Sequence, residues 1–563
     1  MPPRDDFVSL LCRSGYTFHQ AASLPEEYME DAARRGQDTL GVADRDGVYG
    51  AVRAHVSGRE FGVRPLVGAE ITRTDGPPLH LLAMDLQGYG DLCALISCGR
   101  ARGDKGESRV QLEDVLPRAG RLILVHRHLD EEPGAGALRE AFGDRLYAGL
   151  SRYAVAADRA RLTGVLEQAR RLELAPVVAH PVRFHHPARK PLADVMAAIR
   201  SGMTLEEAGH RLLPNRWLRA LTPEEREELY GEWPEALRRT RVVAERCTFS
   251  LDELRYRYPS EGVPEGHVPD SWLQHLVREG VRRRYPGGAP EDVQRQLRHE
   301  LNLIEELHYA NYFITMYDIV ARARARGILC QGRGSAANSA VCYVLEITSI
   351  DPVRSRLLFE RFISRERAEP PDIDVDFEHE RREEVIQDIY TRYGRDRAAM
   401  VANFIRYRRR MAIRDVGKTL GFSLEQVDRI SGVMHQLRRE DASMDEVFHA
   451  AGLDPTHHRV RLLGELVRQI TGFPRHLSIH VGGFVISDTP VHRMVPVEPA
   501  RKSGRTVIQW DKEDVEDAGL LKIDVLSLGM LTAIRKSFEL LRTHRCVDLD
   551  LATIPPDDRP TFR

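Results

Sequence analysis

Three aspartates alternate with apolar residues in the segment PPDIDVDF at 370–377. In a β-strand, Asp372, Asp374 and Asp376 would share one face, with neighbours about 6.5–7 Å apart, while the apolar residues pack on the other face. Carboxylates crowded on one face repel each other, and a divalent cation such as Mg²⁺ offsets that repulsion. The segment therefore predicts a metal-binding strand of the kind used in two-metal phosphoryl or nucleotidyl transfer. The alternative is a solvent-facing acidic edge strand.

A further carboxylate stands in the apolar segment GLLKIDVLSL at 519–528. In a strand, Lys522 and Asp524 would point to the same face. Because burying an unpaired aspartate is unfavourable, we predict that Asp524 joins the metal-binding carboxylates and serves the attacking hydroxyl. The alternative is a salt bridge between Asp524 and Lys522.

A glycine-rich turn, formed by Gly332, Arg333, Gly334 and Ser335, follows a short apolar strand and precedes a predicted helix from Ala336. Such a turn aims backbone N–H groups and the positive end of the helix dipole at one spot, where a phosphate can approach closely. The Arg333 and Ser335 side chains could add contacts. The spacing fits neither GxxxxGK[ST] nor GxGxxG. A tight strand-to-helix turn packed against a neighbour is the alternative.

Basic residues are concentrated between Arg395 and Lys418, where eight of them stand against two acidic residues. Local positive charge of this kind attracts nucleic-acid phosphates. The alternative is a solvated helix face.

Short apolar runs separated by helical patterns mark the first 250 residues. These runs, which predict an α/β unit with parallel strands, lie at 39–43, 79–83, 122–125 and 176–179. A segment at 257–270, rich in proline, glycine and charge, predicts a linker. Two amphipathic helices should follow it, with the apolar faces Leu273, Leu276 and Val277, and then Val293, Leu297, Leu301, Ile304 and Leu307.

The composition of the 563 residues is that of several soluble globular domains, with 42% hydrophobic and 29% charged residues and a net charge of −2. No run of about 18 apolar residues predicts a membrane span, and no secretory signal is visible. The seven cysteines form no CxxC pair. Together these features exclude disordered, collagen-like and membrane proteins, and indicate a reducing, cytoplasmic environment.

Five long motifs carry a family resemblance. They are LCQGRGSAANSAVCY (329–343), LLFERFISRERAEPPDIDVDFEHERREEV (357–385), RDVGK (414–418), HLSIHVGGFVIS (476–487) and QWDKEDVEDAGLLKIDVLSLGMLT (509–532). In this order they resemble the bacterial C-family DNA polymerases, the DNA polymerase III alpha subunit family. The amino-acid sequences of these motifs are closer to the error-prone, translesion branch of the family than to the replicative branch.

The resemblance implies a multidomain α/β fold. We expect a PHP-like α/β barrel, a palm similar to the nucleotidyltransferase fold of polymerase beta, a helical thumb and the start of the fingers. The corresponding ranges are 1–250 for the barrel, 251–402 and 476–535 for the palm, 403–475 for the thumb and 536–563 for the fingers.

The resemblance also implies roles for individual residues. Asp372, Asp374 and Asp524 would be the catalytic, metal-binding aspartates that hold two Mg²⁺ ions, with Asp376 beside them. The residues expected to bind the nucleotide are Gly332, Arg333, Gly334, Ser335 and Lys522. The residues expected to contact DNA are Arg361, Arg408, Arg409, Arg410, Arg414 and Lys418.

The function implied is error-prone DNA-directed DNA synthesis across damaged template. The expected partners are primer–template DNA and deoxynucleoside triphosphates, with a sliding clamp and accessory translesion proteins, and no membrane. Because the chain ends where the family's fingers begin, the fingers are expected on a separate chain or lost. A catalytically silent remnant or DNA-binding subunit is therefore an alternative, and a PHP-type phosphoesterase is another.

The first domain departs from the family's metal-binding pattern. Arg13 stands within the expected His-x-His, Arg45 stands in the expected Asp-His-Asp-Gly, and Arg183 stands in the downstream His-x-His. Arginine places a fixed positive charge where a cation should sit. We therefore expect a structural domain without a bound metal and without phosphoesterase activity.

A few residues of the family's metal site could survive as remnants in this domain. Those expected are Asp44, Glu70 and His185. The clustered His180, His185 and His186 are expected to be surface histidines.

Overall fold

A computed structural model describes residues 5–359, 362–363, 373–437, 443–554 and 559–561. Within these residues the chain forms two seven-stranded sheets, each surrounded by helices. The first sheet is built before residue 180 and the second after residue 329. The fold is therefore a mixed α/β architecture, in agreement with the predicted class.

The first sheet has the strand order β1-β2-β3-β4-β5-β6-β7. Its strands are β1 Ser9–Cys12, β2 Thr39–Arg45, β3 Arg64–Ile71, β4 Leu79–Ala83, β5 Leu122–His126, β6 Leu146–Leu150 and β7 Ala175–Val178. The α-helices of this half are α1 Pro25–Arg34, α2 Ala51–Phe61, α3 Leu86–Arg102, α4 Leu112–Val115, α5 Ala135–Phe142, α6 Asp158–Arg171, α7 Lys190–Ser201, α8 Leu205–Ala208, α9 Pro223–Tyr230 and α10 Pro234–Glu245.

The first sheet curls back on itself. After β7 the chain returns to β1, where the Arg13 N–H donates to the Val182 carbonyl at 3.0 Å. The four apolar runs predicted as strands are confirmed as β2, β4, β5 and β7. The expected parallel pairing joins β1 to β2, β2 to β3, β5 to β6 and β6 to β7. The exception is β4, which runs antiparallel to both β3 and β5. The connection between β3 and β4 is too short for the crossover that parallel neighbours need.

The second sheet has the strand order β12-β13-β10-β11-β14-β9-β8. Its strands are β8 Cys330–Arg333, β9 Asp374–Glu378, β10 Ala398–Arg406, β11 Pro474–Ile486, β12 Val497–Pro499, β13 Thr506–Ile508 and β14 Ile523–Leu528. The α-helices of this half are α11 Pro269–Arg284, α12 Glu291–Glu306, α13 Ala310–Ala325, α14 Ala340–Val344, α15 Arg382–Tyr393, α16 Arg409–Thr419, α17 Leu424–Leu437, α18 Met444–Ala450, α19 His458–Ile470, α20 Lys512–Asp517 and α21 Gly529–Arg545.

The amphipathic pattern of α11 and α12 is confirmed by burial. Leu273, Leu276 and Val277 of α11 are buried, as are Val293 and Ile304 of α12. Both helices pack in one hydrophobic cluster with the buried face of β9 and β14. They therefore form part of the platform under these two strands.

The two halves of the chain share a hydrophobic core. Val401 of β10 and Val485 of β11 lie in the same cluster as the core of the first sheet. The buried Trp510 indole donates from Nε1 to the Val48 carbonyl at 3.3 Å. The helices α16 to α19, between β10 and β11, pack against α7 of the first half. The first half thus supports both the second sheet and this helical segment. In the described part of the chain, no helix combines the length and apolar character that a bilayer crossing requires.

Candidate metal and nucleotide site

Two of the predicted metal-binding aspartates lie opposite each other in the second sheet. Strands β9 and β14 are parallel neighbours, and Asp374 pairs in register with Asp524. Neighbouring strands lie about 4.8 Å apart, and residues in register share a face. On the reverse face, Val375 and Val525 are at most 1% exposed. The burial of that apolar face fixes the register, and with it the meeting of the two carboxylates.

Asp524 is 5% exposed, and its two oxygens have different surroundings. Lys522 Nζ donates to Oδ2 at 2.5 Å, so the predicted alternative of an ion pair does form. Among the described residues Oδ1 has no hydrogen-bond partner. His480 Nδ1 lies 3.6 Å from it, but that nitrogen accepts the N–H groups of Gly482 and Gly483. His480 Nδ1 therefore presents a lone pair, and no N–H donor, to Asp524 Oδ1.

The unpartnered oxygen of Asp524 fits a cation. A buried acceptor without a donor is unfavourable, and hard divalent ions take carboxylate oxygens. Asp374, opposite, supplies a second carboxylate. Burial also lowers the pKa of His480, which keeps the neighbouring imidazole neutral.

The third predicted ligand, Asp372, lies outside the described residues. Within the described ranges, no three ligand-type side chains converge on one point. The metal-binding roles of Asp372, Asp374 and Asp524 therefore stay predictions, and Asp374 and Asp524 are the two that the sheet brings together.

Arg333 lies beside the aspartates of β9. Its Nε is 3.8 Å from Asp374 Oδ2 and 3.6 Å from Asp376 Oδ2. The Arg333 side chain is 53% exposed, so these are long contacts in a wet setting. Burial raises the pKa of Asp376, and Arg333 opposes that rise. The guanidinium thus offsets negative charge while remaining accessible to a ligand.

Glycine stands at positions 332 and 334 of the predicted nucleotide turn for two different structural reasons. Gly334 adopts a left-handed φ of +62°, and a Cβ there would lie 3.9 Å from Asp374 Oδ2. The turn therefore passes directly beside the aspartate. Gly332 is buried in β8, where its N–H donates to the Ile347 carbonyl at 2.7 Å. That N–H is engaged within the protein, and the predicted nucleotide contacts of the turn stay predictions.

The helix predicted from Ala336 is divided. A 3₁₀ turn covers Gly334–Asn338, and Ser339 then caps the short α14 by accepting the Cys342 N–H at 3.0 Å. Serine is favoured at this position because its hydroxyl accepts an N–H group of the first helical turn, which has no carbonyl partner within the helix.

Glu300, reaching in from α12, occupies the start of α14. Its carboxylate accepts the Ser339 hydroxyl at 2.7 Å and the N–H groups of Ala340 and Val341 at 2.8 and 3.0 Å. Burial raises the pKa of Glu300 to about 7. The N-terminus of α14 is therefore occupied by a protein carboxylate, whereas the predicted phosphate contacts of Gly334 and Ser335, which precede it, stay predictions.

Two residues of the site were missed by reasoning from the sequence. Glu300 stands in an ordinary amphipathic helix, where an acidic residue predicts a solvent-facing position. His480 lies within the motif HLSIHVGGFVIS, yet nothing in its spacing assigns it to Asp524. The neighbouring glycines are the available signal, because a Cβ at Gly483 would lie 3.3 Å from Asp524 Oδ1.

The basic residues predicted to contact DNA lie at the start of and along α16. Those in the described part of the chain are exposed: Arg408, Arg409, Arg410, Arg414 and Lys418. Arg410, Arg414 and Lys418 are spaced by four residues and therefore form one stripe on the helix. The predicted Arg361 lies outside the described residues.

In the first sheet, the predicted remnant ligand Asp44 is surrounded by donors. It accepts the Ser14 N–H at 2.7 Å, the Thr17 hydroxyl at 2.8 Å and the Gly50 N–H at 3.3 Å. Burial raises the pKa of Asp44, which these hydrogen bonds oppose. Its oxygens thus serve to hold loops together.

The second remnant, Glu70, is paired with arginine. Arg13 donates to it, His80 Nε2 lies at 3.1 Å and Arg127 Nη2 at 3.6 Å. Burial alone would raise the pKa of Glu70, but these neighbours hold it well below its usual range. Guanidinium groups therefore supply the positive charge at this end of the sheet.

The expectation that His180 lies at the surface is wrong. It is 5% exposed, with Nε2 donating to the Trp217 carbonyl at 2.7 Å and Nδ1 accepting from the Tyr230 hydroxyl at 2.9 Å. Burial lowers its pKa to about 4. His185 is half-buried against Ser23 at 2.7 Å, so the histidines have separate structural roles.

Both halves of the chain are similar to known proteins. Residues 271–527 match the family described as bacterial DNA polymerase III alpha NTPase domain, and residues 9–147 match the PHP domain. The chain is 49% identical to an error-prone DNA polymerase of Pseudomonas aeruginosa, over 99% of this chain and 54% of that protein. It is 48% identical to an error-prone DNA polymerase of Methylococcus capsulatus, over 99% of this chain and 53% of that protein.

The chain thus spans about half the length of the curated relatives it matches. Among solved structures, an amidohydrolase from Chromobacterium violaceum aligns with 31% of this chain and 88% of its own, at 15% identity and a TM-score of 0.21. A likeness of that size is too weak to inform function.

Proposed function

The chain belongs to the bacterial C-family DNA polymerases, the DNA polymerase III alpha subunit family, and from this premise we propose that it carries the palm of an error-prone DNA-directed DNA polymerase. The observation that carries the proposal is the pairing of Asp374 with Asp524 beside an unpartnered Asp524 oxygen. The role would be translesion synthesis, with primer–template DNA and deoxynucleoside triphosphates as substrates.

The aspartates are proposed to hold divalent metal. Asp372, Asp374 and Asp524 would bind two Mg²⁺ ions, which when bound supply charge neutralisation for the triphosphate and a lowered pKa for the primer 3′-hydroxyl. Lys522 holds Oδ2 of Asp524, so that Oδ1 would be the oxygen available to an ion. His480, accepting backbone N–H groups, leaves that oxygen uncontested.

Arg333 is proposed to change partners when a nucleotide binds. Its contacts with Asp374 and Asp376 are long, at 3.8 and 3.6 Å, and exposed ion pairs of this kind contribute little stability. Guanidinium groups bind phosphate oxygens in a planar fork. Arg333 can therefore leave the carboxylates and bind the triphosphate. The same triphosphate would be contacted by the turn at Gly334 and Ser335 and by the Lys522 ammonium. Template pairing would choose the base.

The stripe on α16 is proposed to hold the DNA backbone. Arg410, Arg414 and Lys418 are exposed and uniformly positive, which suits phosphates and carries no base preference. A sliding clamp and accessory translesion proteins are predicted by the resemblance alone.

A phosphoesterase in the first half is disfavoured by the described geometry. Asp44 is engaged by Ser14 and Thr17, and Glu70 is paired with Arg13. Neither carboxylate is open to a metal without losing these partners. The first half is therefore proposed to be structural.

Primer extension with Mg²⁺ tests the polymerase proposal. We expect Asp374→Asn and Asp524→Asn each to lower extension by roughly 10³-fold or more, because each removes a charged carboxylate ligand of the proposed metal ions. Asp517→Asn, an exposed change on α20 of the same chemistry, is the matched control and should extend like the wild type. Extension that survives both site substitutions would refute the assignment, and DNA binding without extension by the wild type would favour the DNA-binding alternative.

A further inference from the structure

A polar cavity of about 600 Å³ lies where the first sheet meets the second. The ends of β2 and β3 form one wall, and the starts of β11 and β12 approach from the other side. Five basic side chains and three acidic ones line it, together with several hydroxyl groups. The basic residues, called here the arginine cleft, are Arg45, Arg100, Lys105, Arg109 and Arg501.

The two innermost cations of the arginine cleft, Arg100 and Lys105, share one buried carboxylate. Glu498, 3% exposed, is paired with Lys105 and lies 3.6 Å from Arg100 Nε. The Tyr49 hydroxyl donates to the same carboxylate at 3.0 Å. Burial opposes ionisation of Glu498, but Arg100 and Lys105 lower its pKa on balance. This buried group fixes the floor of the cavity.

The three outer cations are less completely paired. Arg45 donates to the Thr72 hydroxyl at 2.8 Å, and its Nε is 3.6 Å from Asp46. Arg109 is 3.2 Å from Glu107, and both of these side chains are 56% exposed. Arg501 is exposed and makes no ion pair or hydrogen bond with the described residues. The cleft therefore keeps an excess of positive charge at its rim.

Ser108 and His476 complete the polar lining of the cleft beside the cations. Ser108 lines the cavity and is 9% exposed, but its hydroxyl oxygen is buried, without a hydrogen-bond partner among the described residues. His476 also lines the cavity, and its pKa is lowered by burial and by the charges of Arg475 and Arg501. Burial is the larger cause of this shift, and the part that the two arginines add reflects their positive charge.

We propose that the arginine cleft binds a phosphate group, either of free pyrophosphate or of a DNA phosphodiester, without cleaving it. Arginine forks and hydroxyl donors are the groups that recognise phosphate, and the cavity has the size of a small ligand site. Cleavage is not expected, because the nearby Asp44 and Glu70 are held by Ser14 and Arg13. This site is separate from the aspartates of β9 and β14, so it stands independently of the polymerase proposal.

Calorimetric titration of the full chain with pyrophosphate and with inorganic phosphate tests the inference, alongside fluorescence anisotropy with a single-stranded thymidine oligonucleotide. We expect Arg501→Ala and Arg109→Ala each to weaken binding about tenfold, because each removes a charged donor at an exposed position where folding is not at stake. Lys502→Ala is the matched control. It removes the same charge from the same loop, but Lys502 Nζ pairs with Glu383 at 2.6 Å, away from the cavity.

The outcomes separate the two sources of phosphate. Weaker binding of pyrophosphate or phosphate by both arginine variants, with Lys502→Ala unchanged, supports a free-phosphate ligand. The same pattern seen only with the oligonucleotide supports a DNA phosphodiester. Wild-type affinity of both arginine variants for all three probes would overturn the inference, as would absence of binding by the wild type.

Discussion

At the scale of single residues, the candidate site depends on carboxylates whose surroundings differ. Asp524 keeps one oxygen without a partner among the described residues, whereas Glu300 has both oxygens bound to donors. The first arrangement suits a ligand from outside the protein, and the second suits a structural cap. The same functional group therefore performs opposite tasks, according to the donors that the fold places around it.

Glu300 should make the stability of the protein depend on pH. Burial raises its pKa from an ordinary value of 4.5 to about 7, so the folded state binds the proton more tightly than the unfolded chain does. The free energy of unfolding should therefore fall as pH rises from about 4.5 to about 7, and level off above. Glu300→Gln should remove this fall, and should destabilise the protein by about 1–3 kcal/mol because one acceptor is lost.

Urea unfolding of wild type and variant across this pH range measures the effect. Glu305→Gln is the control, since Glu305 lies on the same helix and is exposed. If the free energies of unfolding of the wild type and Glu300→Gln differ by the same amount at every pH, Glu300 does not titrate between about pH 4.5 and 7.

At the scale of elements, short strands and one helix place the functional groups. Strand β9 carries Asp374, β14 carries Asp524 and the turn after β8 carries Gly334. All three strands are neighbours in the second sheet. The helix α16 lies outside this sheet and presents its basic stripe to solvent.

The stripe on α16 should set the salt dependence of DNA binding. Replacing Arg410, Arg414 and Lys418 together by alanine should weaken binding and lower the slope of log K against log salt by about 2–3, because fewer counterions are released. Alanine preserves the helix. Fluorescence anisotropy with primer–template DNA at several salt concentrations measures the slope.

A triple alanine variant at Arg278, Arg282 and Arg283 is the control, since it removes the same charge from α11, where these residues are exposed. If both triple variants change the slope equally, the stripe on α16 has no special part in binding.

Local elements could be predicted well from the sequence, because alternation and short apolar runs report burial directly. The strand at 79–83 is such a case, and so is the apolar face of α11. The antiparallel direction of that strand was not predictable, since direction depends on which strands become neighbours. The cap by Glu300 was missed because it too depends on a contact between distant parts of the chain. Its partners Ser339 and Val341 lie about 40 residues further along.

At the scale of the whole molecule, distant segments converge. Asp374 and Asp524 are 150 positions apart in the sequence, and only the order of strands in the sheet makes them neighbours. The sequence identified both aspartates as candidates for one metal site, first from their residue types and then from the family resemblance, but it could not give their register in the sheet. The shared core of the two sheets, through Val401 and Val485, then holds the first half against the second.

The first half of the chain also forms polar contacts with residues beside the helices α16 to α19. His19 Nε2 lies 2.9 Å from the Tyr407 hydroxyl, which donates to Asp415 at 3.0 Å. Arg475 Nε donates to the same carboxylate at 3.0 Å. The first half thus contacts the helical segment whose α16 is proposed to bind DNA.

Binding of Mn²⁺, a spectroscopic substitute for Mg²⁺, to the full chain tests the central claim most directly. Electron paramagnetic resonance should show Mn²⁺ bound to the wild type and to Asp517→Asn, with affinity weakened at least about tenfold in Asp374→Asn and in Asp524→Asn, because each loses a charged ligand. Equal Mn²⁺ affinity in all four proteins would contradict the account, since the paired aspartates would then hold no ion.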